Sequence, residues 1–324
     1  MPVAYLAFRC LGYNNSGGLN NMKPSLVATL LFSFSINCYA EVLTQNIPAG
    51  ASLTCNAQIR KTDENRPLVV VLNGTGRYSM ANDDELPPNI AYLLSDRKIS
   101  VLTIDKPGIS WKDSKIVVDE KQYNQHTQKD LVRCLVNALK WTSMQKGIDK
   151  KIYFVGHSEG AQIAVRTYES MLNSNSELAK QVVMLVLSGS PMQSWKTIIE
   201  KQLGDNKKEE LWRALKNSDN NTIKGIGGVP VAYWRDIFST EPLADTFKKI
   251  ARLSPSASFQ FFHGLEDENV SVKAVQQLEK WNVAQVIGKK SSLKMSARYY
   301  LADHKLNLAA MNDSIMLLLG YMRE

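Results

Sequence analysis

The pentapeptide GHSEG, residues 156–160, contains a serine with a glycine two positions away on each side. It follows the apolar segment KIYFV (151–155) and precedes a helical pattern that begins at residue 160 or 161. A serine on a sharp turn from strand to helix is exposed above the strand end, and the glycines let the two elements approach closely. The pattern predicts Ser158 as a nucleophile at a helix N-terminus, where negative charge is favoured. The alternative interpretation is a tight turn without chemistry.

A serine hydroxyl becomes a useful nucleophile only beside a base that is oriented by a third group. The chain has four histidines: His126, His157, His263 and His304. We interpret His126 as a surface or cap residue, His157 as a packing residue and His263 as the end of a strand. His304 follows the last predicted strand, in YYLADHKLN, and a loop there reaches the same sheet end as Ser158. We therefore predict His304 as the base.

The third group of such a site is a carboxylate, and HGLEDENV (263–270) supplies candidates after the penultimate strand. We predict Asp267 in this role. Glu266 stays open as the alternative, because spacing alone cannot separate neighbouring carboxylates. A helix-capping role is the alternative interpretation for Asp267.

Acyl transfer also requires hydrogen-bond donors aimed at the developing oxyanion. The backbone N–H of Glu159, directly after the nucleophile, is one candidate. The loop LNGTG (72–76) follows an earlier apolar strand, and we predict the backbone N–H of Thr75 as the second. The alternative is a phosphate-binding loop, but the segment lacks the P-loop lysine and the G-x-G-x-x-G spacing.

Six short segments are apolar throughout, which is typical of central strands in a parallel sheet covered on both faces. They are PLVVVL (67–72), ISVLTI (99–104), KIYFV (151–155), QVVMLVL (181–187), SFQFF (258–262) and ARYYL (297–301). Helical patterns alternate with them, clearest in residues 126–144, and SLTCNAQIRK (52–61) suggests an antiparallel edge hairpin. The pattern predicts an α/β protein with a mostly parallel central sheet flanked by helices.

The alternation stops at about residues 191–255, where only helical and loop signals occur. We interpret this segment as a helical lid or cap inserted over one end of the sheet. Its aromatic residues could line an apolar cleft, although helix-spaced aromatics more often form a core: Trp195, Trp212, Tyr233, Trp234 and Phe238.

The N-terminal part resembles an export signal. Residues 22–40 begin with Met-Lys, continue through an apolar run too short for a membrane span and end in Cys-Tyr-Ala, which predicts a signal peptide. Residues 1–21 are interpreted as an over-long start, and 41–324 as the folded domain. The asparagine before Cys38 argues against a lipid anchor. The sequence thus predicts a secreted or periplasmic protein without a stable membrane anchor. An oxidising compartment permits a disulfide between Cys55 and Cys134, and the sequence leaves open whether it forms.

Composition limits the classes of function. The 324 residues are 44% hydrophobic and 22% charged, enough for a sizeable core. The formal charge of +8 is spread among both signs, so a nucleic-acid partner is not expected. The two mature cysteines have no neighbouring histidine ligands, and we predict no metal and no cofactor.

Four features together resemble the α/β-hydrolase superfamily. They are the chain order of Ser158, Asp267 and His304, the GHSEG turn, the NGTG loop and the HGxxD segment. Within this superfamily, VVVLNGTG, ISVLTIDKPG and GIDKKIYFVGHSEG resemble bacterial secreted esterase or peptidase-like members related to dienelactone hydrolases and acyl-peptidases. Two positions depart from that branch. Asn73 stands where many of its members have a histidine, and Ala161 stands where they often have a second glycine after the turn.

The resemblance implies a serine hydrolase that cleaves a carboxylic ester through an acyl-enzyme. A peptidase or amidase would use the same residues, so a small-molecule ester and a peptide-like substrate both stay open. A non-catalytic binding protein on this fold is the third hypothesis, because a fold does not fix a function. The sequence leaves the oligomeric state open.

Overall fold

The computed structural model describes residues 41–50, 52–61, 64–80, 90–91, 99–113, 115–217, 222–223, 228–253, 255–288, 292–301, 317–318 and 320. The predicted signal peptide at 22–40 and the segment 1–21 lie outside these residues. The described strands are β1 (Glu41–Pro48), β2 (Thr54–Lys61), β3 (Arg66–Leu72), β4 (Ser100–Ile104), β5 (Ile109–Lys112), β6 (Lys115–Val118), β7 (Ile148–His157), β8 (Val182–Ser188), β9 (Thr222–Ile223), β10 (Val229–Pro230), β11 (Ser258–Gly264) and β12 (Lys294–Tyr300).

Eight of these strands form the central sheet, in the order β1-β2-β4-β3-β7-β8-β11-β12. Strands β4, β3, β7, β8, β11 and β12 are mutually parallel. All six apolar segments found in the sequence fall in these six strands, so the predicted parallel sheet is confirmed. β3 has β4 and β7 as its neighbours, and the carboxyl ends of β3 and β7 therefore lie side by side.

Both faces of the sheet are buried, and β3 shows why its sequence is apolar without alternation. Val69 and Val71 join one hydrophobic cluster, whereas Val70 and Leu72 join the cluster on the opposite face. Successive side chains of a strand point to opposite faces, so a strand covered on both sides must be apolar at every position.

The predicted edge hairpin is also present. β1 and β2 pair antiparallel from Glu41 opposite Lys61 to Pro48 opposite Thr54, and β2 pairs antiparallel with β4. Cys55 of β2 and Cys134 form a disulfide across 79 positions of sequence. A cross-link that closes a loop of this length stabilises the folded state by about 4 kcal/mol in the chain-entropy model.

Helices cover the face of the sheet that carries Val70 and Leu72, where their buried apolar side chains join the hydrophobic cluster of that face. The described helices are α1 (Glu120–Gln125), α2 (Gln128–Ser143), α3 (Glu159–Asn173), α4 (Glu177–Gln181), α5 (Trp195–Gln202), α6 (Asp205–Lys216), α7 (Val231–Ser239), α8 (Leu243–Arg252) and α9 (Val272–Ile287). In α2, a capping box between Thr127 and Asp130 begins the helix. Its predicted apolar stripe is buried: Leu131, Leu135, Ala138, Leu139 and Thr142.

The segment between β8 and β11 contains α5 to α8 and the two-stranded ribbon of β9 and β10. Its aromatic rings pack on one another, Trp195 against Trp234, Trp234 against Phe238, and Phe238 against Trp212. They therefore form the core of the insertion, which is the second of the two interpretations of these aromatics. Movement of the insertion as a lid stays a prediction, as do the domain boundaries.

The insertion rests on α3. The Trp195 indole N–H donates to the Gln162 side chain, and the Arg166 guanidinium donates to the Glu241 carbonyl at 2.6 Å and to the Thr246 hydroxyl at 3.2 Å. Since α3 begins directly after Ser158, the element that carries the predicted nucleophile also supports the insertion. Within the described part of the chain, no helix has both the length and the apolar character that crossing a bilayer requires.

Candidate active site

Ser158 lies between β7 and α3 with a backbone conformation that non-glycine residues rarely adopt. Its φ is 52° and its ψ is −117°, and it occupies the N-cap position of α3. Its N–H donates to the Ser188 carbonyl at the end of β8, at 2.8 Å. A strained conformation of this kind persists only where the surrounding structure enforces it, and such positions cluster at functional sites.

The glycines on either side of Ser158 are required by close backbone contacts. A Cβ at Gly156 would lie 2.7 Å from the backbone of Ala161, and a Cβ at Gly160 would lie 2.3 Å from the Leu72 carbonyl oxygen. Strand β7, helix α3 and the end of β3 thus approach one another as closely as atoms allow. The predicted sharp turn from strand to helix is present.

The loop after β3 lies against the serine. A Cβ built on Gly74 would be 3.4 Å from Cβ of Ser158, so the loop backbone and the serine side chain lie next to each other. The Gly74 N–H donates to the Asn73 side chain at 2.6 Å, and Thr75 follows as a half-buried residue. The structure therefore brings Thr75 and Glu159, the two predicted oxyanion donors, to the adjacent ends of β3 and β7.

Lys106, which sequence reasoning did not select, joins these two segments. Its ammonium lies 2.7 Å from a carboxylate oxygen of Glu159 and 3.1 Å from each of the Gly74 and Gly76 carbonyl oxygens. The Glu159 side chain is 2% exposed and that of Lys106 15% exposed. The signal in the sequence is a lysine two residues after the buried strand β4, at the sheet end that also carries Ser158.

The Glu159 carboxylate also lies near the Tyr233 hydroxyl, which comes from α7 of the insertion, and the two groups interact electrostatically. Burial and the neighbouring Glu159 charge raise the pKa of Tyr233 well above its usual value. Gln128 at the start of α2 donates to the same hydroxyl at 3.4 Å. A buried polar chain thus runs from the insertion through Glu159 and Lys106 to the loop after β3.

Asp267 lies in the loop after β11, and its buried environment distinguishes it from Glu266, which is exposed. One oxygen of Asp267 accepts hydrogen bonds from the backbone N–H groups of Asn269 and Val270, at 2.9 and 2.8 Å. These bonds fix the carboxylate and close the turn that precedes α9. The local turn contacts considered as the alternative for Asp267 are therefore present, and they occupy one of its two oxygens.

His263, at the end of β11, is buried beside this loop. Its Nε2 lies 2.9 Å from the Val270 carbonyl oxygen and 3.5 Å from the second carboxylate oxygen of Asp267. A ring nitrogen that donates to a backbone carbonyl cannot serve as a base at the same atom. His263 thus closes the loop that carries Asp267. The predicted base, His304, lies outside the described residues.

Of the two interpretations of His126, a surface or a cap residue, the structure shows the cap, and the side chain is buried at 1% exposure. It caps the C-terminus of α1, its Nδ1 lies 2.6 Å from the Tyr123 carbonyl oxygen, and its ring contacts Tyr233. Burial, together with the nearby Lys106 charge, lowers the pKa of His126 to about 3. The side chain is neutral at physiological pH and packs against Tyr233, which belongs to the polar chain described above.

A largely apolar pocket adjoins the loop after β3. Gly74, Glu159 and Gly160 form its polar border, and its apolar wall is made by Met80, Leu131, Leu135 and Ile163. Among the described residues, no group of three or more histidine, cysteine, aspartate or glutamate side chains could hold a metal ion.

Comparisons with known proteins agree with this architecture. No protein-family model and no curated protein matches the sequence. A protein from Agrobacterium vitis S4 superposes with a TM-score of 0.60 at 15% identity, over 88% of this chain and 99% of that one. Esterase Pf2001 of Pyrococcus furiosus gives 0.57 at 14% identity, over 95% and 96%.

A puromycin-hydrolyzing peptidase from Mycobacterium tuberculosis gives a TM-score of 0.56 at 12% identity, over 87% of this chain and 40% of that one. Identities this low carry information on the fold alone. The strand order, the strained serine between β7 and α3 and the similarity to the first two structures over most of both chains together show that the chain has the α/β-hydrolase fold.

Proposed function

We propose that this protein is a serine hydrolase that cleaves a carboxylic ester through an acyl-enzyme. The observation that carries the proposal is the geometry at Ser158: a strained backbone, a helix N-terminus behind it and the Gly74 loop against its side chain. These features are typical of a strand-to-helix turn that presents a serine hydroxyl beside backbone donors, as acyl transfer requires. The similarity in fold to an esterase and a peptidase supports the same class of reaction.

In the proposed reaction, the Ser158 hydroxyl attacks the ester carbonyl carbon and its proton passes to His304. The backbone N–H groups of Thr75 and Glu159 donate to the oxyanion of the tetrahedral intermediate. The carbon–oxygen bond to the alcohol then breaks as His304 returns the proton to the leaving oxygen. Asp267 holds the imidazole and stabilises its charged form.

Water completes the cycle. It attacks the acyl-enzyme and gives a proton to His304, the bond to Ser158 breaks, and the serine recovers that proton as the carboxylic acid leaves. An ester is favoured as the substrate because its leaving group needs little assistance. The apolar wall of the adjoining pocket suits the acyl part of such a substrate.

Peptidase or amidase activity is the second candidate, favoured by the similarity in fold to the puromycin-hydrolyzing peptidase. It uses the same residues but must protonate an amine. Rates with p-nitrophenyl esters and aminoacyl anilides, measured side by side, separate the two. Turnover of anilides alone would exclude the ester as the preferred substrate.

The direct test is covalent labelling with a fluorophosphonate, which reacts with activated serines. We expect the mass of the folded protein to increase by one label and Ser158→Ala to take up none. Ser190→Ala is the matched control, because Ser190 is also buried and follows the next strand end, and it should label like the parent. A folded parent that does not label would exclude an activated serine and favour a non-catalytic binding protein.

We also propose that residues 22–40 direct export and are removed, giving a secreted or periplasmic protein. The Cys55–Cys134 disulfide supports this proposal, because such bonds persist in oxidising compartments. Expression of the full chain in a bacterium should yield a protein outside the cytoplasm that begins at Glu41, by N-terminal sequencing. Its peptide map should show the two cysteines joined. A cytoplasmic protein that keeps residues 22–40 would contradict the proposal.

A further inference from the structure

We propose that Lys106 is a positioning residue that orients the backbone donors of the oxyanion site. The inference rests on the proposed function and extends it to a residue that acts through the backbone donors and not on the reacting atoms. It follows from the three acceptors of the Lys106 ammonium: the Glu159 carboxylate and the Gly74 and Gly76 carbonyls.

The first step concerns the direction of the peptide groups. In a trans peptide the C=O of one residue and the N–H of the next lie in one plane and point in opposite directions. The described chain contains no cis peptide bond. Because the Gly74 carbonyl points to the Lys106 ammonium, the Thr75 N–H points away from it. The Gly76 carbonyl, held by the same ammonium, fixes the following peptide in the same way.

The second step concerns which N–H groups of the loop are free to act. The Gly74 N–H is bonded to the Asn73 side chain at 2.6 Å, so this loop donor is already used. Thr75 carries the next N–H along the chain, and Gly74 before it lies against Ser158. Turning the Gly74–Thr75 peptide over would remove the Thr75 N–H from the site, and the ammonium prevents that turn.

The third step concerns the other donor. Glu159 supplies its backbone N–H, and its side chain is held by the same ammonium at 2.7 Å. Both donors are therefore tied to one charged group between the ends of β3 and β7. An ammonium presents three hydrogen-bond donors arranged around one nitrogen, which matches a set of three acceptors converging from separate segments.

The test must remove the ammonium without leaving a buried unpaired carboxylate, which would itself destabilise the protein. The double variant Lys106→Met with Glu159→Gln meets this condition. It is compared with Glu159→Gln alone, in which Lys106 still holds both carbonyls. We expect kcat for p-nitrophenyl acetate to fall about 10- to 100-fold between these two variants, below the about 10²- to 10³-fold loss from deleting one donor outright. KM should change less than threefold.

A transition-state analogue supplies a readout that a general loss of stability would not change. A trifluoromethyl ketone adds to the serine and places an oxyanion in the site, so its inhibition constant should rise by the same factor as kcat/KM falls. Equal inhibition constants in the two variants would overturn the proposal. So would an unchanged kcat.

Lys61→Met is the matched control. The Lys61 side chain is 14% exposed, pairs with Glu41 at 2.7 Å and donates to the Lys146 carbonyl at 3.4 Å. It lies where β2 pairs with the beginning of β4, at the sheet end away from Ser158. We expect its kcat to equal that of the parent, whereas an equal loss in Lys61→Met would overturn the proposal.

If the double variant does not fold, Lys106→Arg replaces it, since arginine keeps a positive charge opposite Glu159. A planar guanidinium cannot serve the same three acceptors from one point, and we expect about a tenfold lower kcat at unchanged KM. A kcat equal to that of the parent would overturn the proposal. Failure of the proposed function is distinguishable, because the parent itself would then neither label with a fluorophosphonate nor turn over.

Discussion

The substitution Asp267→Asn is expected to lower kcat for ester hydrolysis by about 10⁴-fold, with KM nearly unchanged. Asparagine has the same shape, and its side-chain oxygen can still accept from the Asn269 and Val270 N–H groups, at the 2.9 and 2.8 Å distances of the parent. The loop should therefore fold. The second carboxylate oxygen, however, becomes an NH₂ group, which donates where the imidazole of the base needs an acceptor. The imidazole then adopts the wrong tautomer.

Glu266→Gln is the control for this experiment, because Glu266 is adjacent and exposed while Asp267 is buried. Its kcat should stay within twofold of the parent, since an exposed carboxylate is surrounded by water. Both variants should melt within a few degrees of the parent. If Glu266→Gln carries the loss and Asp267→Asn does not, the orienting carboxylate is Glu266.

The second large effect is expected for Gly160→Ala, which should destabilise the fold by at least about 3 kcal/mol and abolish labelling of Ser158. The new methyl group would lie 2.3 Å from the Leu72 carbonyl oxygen and 2.6 Å from that of Asn73. Both obstacles are backbone atoms of β3 and the loop after it, so no side chain can move aside. The oxyanion loop and α3 must separate.

Gly204→Ala provides the comparison, because nothing lies within 4 Å of a Cβ built at Gly204. Its cost should be about 1 kcal/mol or less, from the poorer N-cap of α6. Denaturant melts of the two variants and the parent measure the difference. Equal stability of Gly160→Ala and Gly204→Ala would show that the elbow tolerates a wider separation of strand and helix than the contacts indicate.

The parallel sheet could be predicted from the sequence because its inner strands are buried on both faces and are therefore mostly apolar, as β3 and β8 are. The hairpin of β5 and β6 was not predicted for the opposite reason. Its strands have four residues each, and β6 alternates between exposed and half-buried positions, so its apolar pattern is weak. The burial of His126, which is one of the helix caps, was not predicted because it depends on contact with Tyr233 of the insertion.

The candidate site divides in the same way. Ser158 and its glycines were recognisable because a local turn imposes its own residue types on adjacent positions. Lys106 was not recognised, because its three acceptors come from the loop after β3 and from α3, which only the folded sheet brings together. Asp267 and Glu266 could not be separated by their spacing in the sequence. They differ in burial, which no residue pattern in this loop indicates.

The complete burial of ten consecutive residues, Glu159 to Tyr168, bears on how this protein can be altered in the laboratory. Substitutions in a buried stretch usually destabilise the fold, so random libraries directed there would return mostly inactive clones. Saturation mutagenesis aimed at a new substrate preference should instead sample the wall of the adjoining pocket, which Met80, Leu131 and Leu135 help to line. The first turn of α3 is best kept fixed as the invariant part of any such library.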